Sequence, residues 1–236
     1  MTVEVLADAA AVARRGANFI AAEAHAAVAA RGQFTLAFSG GRTPWQMLRE
    51  LTTLDVPWNS MYVFQVDERV AAANDPDRNI AKLIEILMAA GGVRPHIEPM
   101  PVEAADLDLA AVRYEGRLAE IAGAPPVLDL VHLGLGTDGH TASLVPGDRA
   151  LEIVDADVTL TNVYQGRRRM TLTYPILNRA RRILWVVTGE EKTRMLARLR
   201  HADQTIPAGR VRQDYARLIG DRAAAPYIRT ETSAPP

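Results

Sequence analysis

The chain has 236 residues, of which 48% are hydrophobic and 23% are charged, so one large domain or two small ones could each bury a substantial core. The net charge is −1, from 27 basic and 28 acidic residues, which leaves no overall positive field for holding nucleic acid or an anionic membrane. There is no cysteine, which excludes disulfides, thiolate metal sites and cysteine nucleophiles. We see no signal peptide and no apolar run of about 18 residues, so we expect a cytoplasmic protein that does not span a membrane.

Strand and helix patterns alternate along the chain. Short apolar runs bounded by turn residues predict buried strands at residues 33–38, 61–66, 127–133 and 183–188. Helical patterns cover residues 9–30, 79–90 and 106–122, and further helices are predicted to begin near residues 43, 175 and 189. Residues 151–173 are ambiguous between strand and loop.

This alternation predicts an α/β fold in which helices cover both faces of a doubly wound, mostly parallel sheet. No internal repeat, linker or break in composition divides the chain. We therefore expect residues 1–223 to form one catalytic domain. Residues 224–236 are rich in alanine and proline and are expected to fray.

Polar residues follow the four predicted strands, and in a parallel sheet such junctions lie at one edge, where ligands bind. The first junction, Ser39-Gly40-Gly41-Arg42-Thr43, offers backbone N–H groups, hydroxyls and a helix N-terminus that can cradle an anion. We expect Thr43 at the N-cap and Pro44 at the first helical position. The segment matches neither dinucleotide-binding nor P-loop spacing, and a simple tight turn remains the alternative.

The second junction is Asp67-Glu68-Arg69. The guanidinium fork of Arg69 is suited to a phosphate or carboxylate, and Asp67 would then hold sugar hydroxyls or orient another group. The alternative is the charged start of a solvated loop.

The third junction carries Asp138-Gly139-His140 at the end of the apolar strand that begins at Val127. Histidine can act as a general base near neutral pH, and a neighbouring carboxylate can fix its tautomer. As metal ligands, Asp138 and His140 would number two, fewer than the three protein ligands of a catalytic zinc, so we expect no metal. The remaining histidines are expected to be structural: His25, His96, His132 and His201.

The fourth junction places Lys192 near the start of a helix, where a cation is unfavourable unless an anion binds there too. Lys192 is therefore a candidate phosphate ligand, although most lysines are merely solvated. Arg167, Arg168 and Arg169 form a cluster that is either an exposed face or contributes one member to the interior.

A serine hydrolase is the competing catalyst. Ser39 lacks the first glycine of the G-x-S-x-G motif, and Ser143 follows His140 by three residues, an awkward spacing for a triad. We interpret both serines as ligands or caps.

These segments, in this order, resemble the 6-phosphogluconolactonase family, part of a larger superfamily of sugar-phosphate isomerases and deaminases. The matching segments lie within residues 34–210, at 39–44, 67–69, 133–147, 169–173, 189–192 and 206–208. The segment 133–147 is the most specific of them.

The resemblance implies a sugar-phosphate isomerase/deaminase-like variant of the Rossmann fold. It also implies cofactor-free hydrolysis of 6-phospho-D-glucono-1,5-lactone to 6-phosphogluconate, the second step of the oxidative pentose phosphate pathway. The expected partner is this small sugar phosphate, not nucleic acid or a membrane, and the expected assembly is a monomer or small homo-oligomer.

The resemblance also implies residue roles. His140 would take a proton from the attacking water and return it to the ring oxygen, Asp138 would tune or orient it, and Asp67 would act in chemistry or only in binding. The expected phosphate-binding residues are Ser39, Gly40, Gly41, Thr43, Arg69, Lys192 and, as a weaker candidate, Arg169.

One departure from the family pattern is Arg78, which precedes Asn79 where the family usually has serine, and which is expected to alter the pocket rim or to add a phosphate contact. The nearest rival enzyme is glucosamine-6-phosphate deaminase, whose pattern has a glutamate where this chain has Val145, a residue that cannot transfer protons. A non-catalytic sugar-phosphate binding protein is the second alternative, and the presence of His140 argues against it.

Overall fold

The computed structural model describes residues 1–73, 75–91 and 94–227. In these ranges the strands are β1 (Thr2–Leu6), β2 (Phe34–Phe38), β3 (Met61–Gln65), β4 (Asp67–Arg69), β5 (His96–Glu98), β6 (Leu130–Leu133), β7 (Val158–Leu160), β8 (Arg169–Leu172), β9 (Arg182–Val187) and β10 (Ala216–Asp221). The α-helices are α1 (Ala9–Arg31), α2 (Arg42–Leu51), α3 (Asn79–Ala89), α4 (Leu107–Ala122), α5 (Tyr174–Arg179) and α6 (Thr193–Arg200). Every helix in these ranges is too short or too polar to cross a bilayer.

A parallel sheet with the strand order β1-β10-β9-β6-β2-β3-β5 organises the described residues. Strand β2 has β3 on one side, which follows it in the chain, and β6 on its other side, which the chain adds later. The carboxyl ends of β2 and β6 therefore flank the point at which the strand order reverses, where sheets of this type bind ligands.

Helices cover both faces of this sheet. Alternate residues of a strand point to opposite faces, so that Leu36 packs in a core with α1, α2 and α3, and Ala37 packs in a second core with α4, α5 and α6. The predicted doubly wound α/β fold is confirmed.

Local chemistry explains where the longer helices begin and end. The Asp8 carboxylate accepts a hydrogen bond from the Ala11 N–H at 2.8 Å and caps α1, and Gly32 ends this helix in the left-handed conformation with φ 79°. Asp106 caps α4 in the same way through the Leu109 N–H at 2.9 Å.

A second, antiparallel sheet with the order β4-β8-β7 was not predicted. Asp67–Arg69, expected to be a loop, forms β4, which pairs residue by residue with β8. The ambiguous residues 151–173 contain β7 and β8, and the strands β1, β5 and β10 were also missed.

The end of the chain lies partly outside the described residues. Within the predicted tail, residues 224–236, Ala224 and Ala225 are buried in the core, and residues 228–236 lie outside the described residues. The division into one domain and a tail stays a prediction.

Candidate active site

A cleft of about 600 Å³ opens at the carboxyl edge of the parallel sheet. It is lined by all four predicted junctions and is called the carboxyl-edge cleft below. Its lining includes the glycines Gly40 and Gly41 and the polar residues Ser39, Arg42, Thr43, Asp67, Arg69, Asn79, His140, Tyr164, Gln165, Arg169, Thr188, Glu191 and Lys192. Of the predicted site residues, only Asp138 is not a lining residue, and it contacts His140 directly.

The glycine loop after β2 comes very close to its surroundings. A Cβ atom at Gly40 would overlap the Asn79 side chain, so any other residue there would have to displace Asn79 from its hydrogen bonds with Arg69 and Asp67. The Ser39 N–H donates to Nδ1 of His132 at 3.3 Å, and His132 is fully buried in β6. Burial lowers the pKa of His132 to about 3, so this ring stays neutral and keeps Nδ1 as an acceptor.

The predicted cap at Thr43 was wrong. Helix α2 begins at Arg42, two residues earlier than predicted, and its N-cap is Gly41, with φ 133° and no side-chain hydrogen bond to the helix. The Thr43 hydroxyl instead shares a hydrogen bond of 2.7 Å with Thr188 after β9. The first N–H groups of α2 are therefore without a side-chain cap and face the cleft, where an anion can bind them.

His140 and Asp138 form a short contact in the loop after β6. Nδ1 of His140 lies 2.6 Å from Oδ1 of Asp138, and the backbone N–H of His140 donates to the same oxygen at 3.1 Å. A Cβ atom at Gly136 would overlap the imidazole ring, so this glycine makes room for the pair.

Tyr164 completes this arrangement and was missed by the sequence analysis. Its hydroxyl donates to Oδ2 of Asp138 at 3.1 Å, and its ring meets the imidazole of His140 edge-on at a centroid distance of 5.6 Å. Tyr164 opens a tight turn, in which it pairs with Arg167 and in which Gln165 (φ 52°) and Gly166 (φ 80°) are left-handed. The glycine hints at a turn, but nothing in the sequence places Tyr164 beside a residue 26 positions earlier.

The electrostatics of this group favour an ionised carboxylate beside a protonated phenol. Burial acts to raise the pKa of Asp138, but the hydrogen bonds from His140 and Tyr164 and the charge of His140 lower it overall. Burial, and then the neighbouring Asp138, raise the pKa of Tyr164. Tyr164 therefore remains a hydrogen-bond donor, and Asp138 remains an acceptor for Nδ1–H of His140.

Asp67 and Arg169 form a second, more deeply buried polar group. Oδ2 of Asp67 accepts a hydrogen bond of 2.5 Å from the Ser143 hydroxyl and lies 3.9 Å from Nη1 of Arg169. The Arg169 guanidinium also lies 5.1 Å from the ring centroid of Tyr164. Burial lowers the pKa of Arg169 from its usual value, and the charge of Asp67 opposes this effect.

Only one member of the arginine cluster turns into the cleft, and it is Arg169. Arg167 pairs with Asp75 at 2.7 Å, and Arg168 donates to the Thr161 carbonyl at 3.4 Å.

Arg69 reaches the cleft from β4. Its Nη1 donates to the Asn79 side chain at 3.2 Å and to the Asp77 carbonyl. Asn79 in turn donates to the Asp67 carbonyl at 3.1 Å, so the start of α3 fixes both junction residues.

The expectation that Arg78 reaches the pocket rim was wrong. Arg78 is buried and does not line the cleft, since its side chain pairs with Glu68 at 3.3 Å and with Glu103. Glu68 also accepts hydrogen bonds from the N–H groups of Asn79 and Ile80, both at 2.9 Å. Arg78 therefore balances the buried carboxylate that caps α3.

Lys192 also lines the cleft. It lies in a short 3-10 turn, Glu190–Lys192, immediately before α6 and not inside the α-helix itself. Among the residues described by the structure, no group of three or more histidine, aspartate or glutamate side chains could hold a metal ion.

Solved structures with the same fold define the class of protein. The chain aligns over 96% of its length with a monomeric glucosamine-6-phosphate deaminase of the NagB superfamily, with a TM-score of 0.83 at 16% identity. It aligns over 93% of its length with the 6-phosphogluconolactonase from Thermotoga maritima, covering 98% of that chain, with a TM-score of 0.81 at 25% identity. The chain therefore has the fold of the NagB superfamily.

Sequence comparisons assign the family. Residues 7–219 match the model of the glucosamine-6-phosphate isomerases/6-phosphogluconolactonase family. The 6-phosphogluconolactonase of Synechocystis sp. is 41% identical over 179 residues, which cover 73% of this chain and 74% of the relative. That of Nostoc sp. is 35% identical over 209 residues, 84% of each chain. The chain belongs to this family, as its motifs predicted.

Proposed function

We propose that this chain hydrolyses 6-phospho-D-glucono-1,5-lactone to 6-phosphogluconate in the pentose phosphate pathway, with His140 as the general base. The observation that carries the proposal is the contact of 2.6 Å between His140 and Asp138 at a cleft that also holds Arg69, Arg169 and Lys192. A base and a phosphate-binding surface are the two parts that this reaction needs.

The phosphate group is the anchor of the substrate. Arg69 on β4 and Lys192 after β9 both line the cleft, and the glycine loop Ser39–Thr43 after β2 supplies the uncapped N–H groups of α2. Guanidinium and N–H groups of this kind bind phosphate oxygens by charge-assisted hydrogen bonds. Fixing this remote group holds the lactone carbonyl in position for attack.

The tautomer of His140 follows from its neighbour. Asp138 is ionised and accepts only, so Nδ1 carries the proton that it shares with Asp138, and Nε2 is free to accept a second proton. Tyr164 holds the second oxygen of Asp138 and so acts as a positioning residue for the base.

The reaction then needs one water and no net proton change at the enzyme. Nε2 of His140 removes a proton from water while the water oxygen bonds to C1 of the lactone. The tetrahedral intermediate collapses with cleavage of the bond between C1 and the ring oxygen, and the imidazolium returns its proton to that oxygen. The products are the open-chain acid and neutral His140.

Asp67 is placed to bind rather than to transfer protons. One of its oxygens already accepts a hydrogen bond from the Ser143 hydroxyl and lies 3.9 Å from Nη1 of Arg169. We assign its remaining acceptor capacity to a sugar hydroxyl.

The deaminase is the less favoured alternative. Deamination in this family needs an acidic residue that assists the histidine in opening the sugar ring, and this chain has Val145, a buried apolar residue, at that position. The relatives at 41% and 35% identity are also 6-phosphogluconolactonases.

Lactone opening can be tested directly. The phosphorylated lactone is generated in place, and its decay with purified protein is compared with a blank, because the lactone also hydrolyses spontaneously. We expect decay well above the blank in the wild type and decay at the blank rate in His140→Gln. Wild-type decay equal to the blank, with 6-phosphogluconate still bound, would point to a binding protein.

A further inference from the structure

A second cleft, of about 480 Å³, lies at the opposite edge of the parallel sheet. It is formed where the chain enters β6, β9 and β10 and where α1 ends, and it is called the amino-edge cleft below. Its lining residues are Glu23, Ala26, Ala27, Arg31, Val127, Asp129, Arg179, Arg181, Arg182, Arg212 and Tyr215. The proposed lactonase reaction uses none of them.

The amino-edge cleft concentrates positive charge. Five arginines face two carboxylates here, whereas in the carboxyl-edge cleft four basic side chains, Arg42, Arg69, Arg169 and Lys192, face the carboxylates of Asp67 and Glu191. The chain as a whole has a net charge of −1. The local excess of arginine is therefore a property of this cleft and not of the overall composition.

The carboxylates near the cleft do not balance its five arginines: Arg179 pairs at 2.5 Å with Asp157, which lies outside the lining, and the other four arginines face only Asp129 and Glu23. Oδ1 of Asp129 is shared between Arg31 at 2.7 Å and Arg181 at 3.3 Å, while Oδ2 accepts hydrogen bonds from the N–H and hydroxyl of Thr35. Glu23 lies 3.8 Å from Nε of Arg182, a long ion pair. One carboxylate thus serves two guanidinium groups, and the other serves one weakly.

Two of the arginines are held in place by an aromatic ring. The guanidinium carbons of Arg182 and Arg212 lie 5.7 Å and 5.1 Å from the ring centroid of Tyr215. Arg212 also donates to the Ala180 carbonyl at 3.1 Å. Guanidinium groups that are already ordered lose less conformational freedom when a ligand binds.

We propose that the amino-edge cleft is a second ligand site, which binds a small molecule carrying two phosphate groups. Arginine presents a fork of donors that matches phosphate oxygens, and each phosphate monoester carries a charge of about −1.5 to −2 at pH 7. The side chains of Arg31, Arg181 and Arg182 are 39%, 51% and 46% exposed, so a ligand can reach them. No histidine is among the described residues that line this cleft, and the site is one for binding, not for proton transfer.

The experiment measures binding by isothermal titration calorimetry of the full chain, with pyrophosphate and adenosine diphosphate as probes. Both are titrated into Arg69→Ala/Lys192→Ala, which disables the phosphate-binding side chains of the carboxyl-edge cleft. We expect one site to remain. Tighter binding of the nucleotide than of pyrophosphate would assign the natural ligand to nucleotides, and equal binding would assign it to diphosphate alone.

The amino-edge site is then removed in the same background. Arg181→Ala/Arg182→Ala changes two half-exposed side chains, and we expect at least a tenfold loss of affinity for both probes. Arg49→Ala/Arg113→Ala removes the same charge from exposed positions outside both clefts and should change affinity less than twofold. If the double variant does not fold, Arg182→Gln replaces it, with a smaller loss in the same direction.

Two results would overturn the proposal: no remaining site in Arg69→Ala/Lys192→Ala, or equal losses in the two charge-matched variants. The proposal does not depend on the lactonase reaction. Arg181→Ala/Arg182→Ala in the otherwise unchanged chain should keep its turnover of the phosphorylated lactone, so failure of one proposal is distinguishable from failure of the other.

Discussion

The two edges of one sheet offer two clefts of similar charge and different chemistry. At the carboxyl edge, basic side chains surround a glycine loop, the uncapped start of α2 and a histidine bound to a carboxylate. At the amino edge, arginines surround Asp129 and Glu23, and the described lining contains no histidine. Positive charge alone makes a cleft attractive to phosphate, whereas catalysis also needs a base placed near the bound group.

Strand direction explains this difference. Helices that follow parallel strands begin at the carboxyl edge, so their N–H groups and glycine turns collect there, next to His140. At the amino edge helices end, and their last turns favour cations such as Arg31 and Arg179. The fold itself thus separates a site that can react from one that can only bind.

The largest effect is expected for His140→Gln. Loss of the base should lower kcat by at least about a thousandfold, or about 4 kcal/mol of transition-state stabilisation, with little change in KM. Steady-state kinetics on the phosphorylated lactone checks this. His201→Gln, an exposed histidine beyond α6, serves as the matched control and should be unaffected. Substantial residual turnover in His140→Gln would remove it as the base.

Arg69→Ala should separate the two clefts by their effect on substrate binding. We expect KM to rise about 10- to 100-fold, because one charge-assisted contact to phosphate is worth about 1.5–3 kcal/mol. Arg182→Ala removes the same side chain from the other cleft and should leave KM unchanged. An equal effect of both substitutions would mean that overall charge, and not the carboxyl-edge cleft, holds the substrate.

Much of the fold and the site could be predicted because the informative features are local. Apolar runs, caps such as Asp8 and turn glycines lie within a few residues of the structure that they determine, and strand polarity brings the four junctions together. The short strands β4, β7 and β8 were missed because each has only three or four residues, and β4 consists of charged side chains.

Contacts between distant segments could not be predicted in this way. The burial of Arg78 depends on Glu68 and Glu103, and the contact of Tyr164 with Asp138 depends on the turn after β7. Nothing in a single sequence fixes which of Arg167, Arg168 and Arg169 points inward, because that depends on the register of β8 with β4.

Each cleft lies next to a buried polar residue at β6: His132 at the carboxyl edge and Asp129 at the amino edge. The burial of His132 can be tested through the pH dependence of the free energy of unfolding. The pKa of His132 is about 3 in the folded chain and 6.5 in the unfolded chain, so below pH 6.5 the unfolded chain binds a proton that the folded chain does not. This contribution to stability is fully present above pH 6.5 and is lost as the pH falls towards 3. The loss amounts to about 2 kcal/mol between pH 7 and pH 5.

Urea unfolding of wild type and His132→Asn at both pH values isolates this effect. Asparagine retains an acceptor for the Ser39 N–H and does not titrate. Both proteins have the same carboxylates, so the contributions of these groups to the pH dependence of stability cancel in the comparison. We expect the wild type to lose about 2 kcal/mol more than the variant on going to pH 5. Parallel losses would contradict a neutral, buried His132.

The smallest effect is expected for Tyr164→Phe, which tests how finely the base is positioned. The variant keeps the ring beside His140 and Arg169 and removes only the hydroxyl that binds Asp138. We expect kcat to fall about fivefold with KM unchanged, because the variant loses one hydrogen bond of about 1 kcal/mol.

The pKa of Asp138 should rise in Tyr164→Phe, because the hydrogen bond from Tyr164 helps to lower it. Carboxyl-carbon NMR titration would detect this rise.

Tyr164→Leu also removes the ring from Arg169 and should raise KM in addition. A drop in kcat without any change in the titration of Asp138 would show that Tyr164 acts through packing and not through the carboxylate.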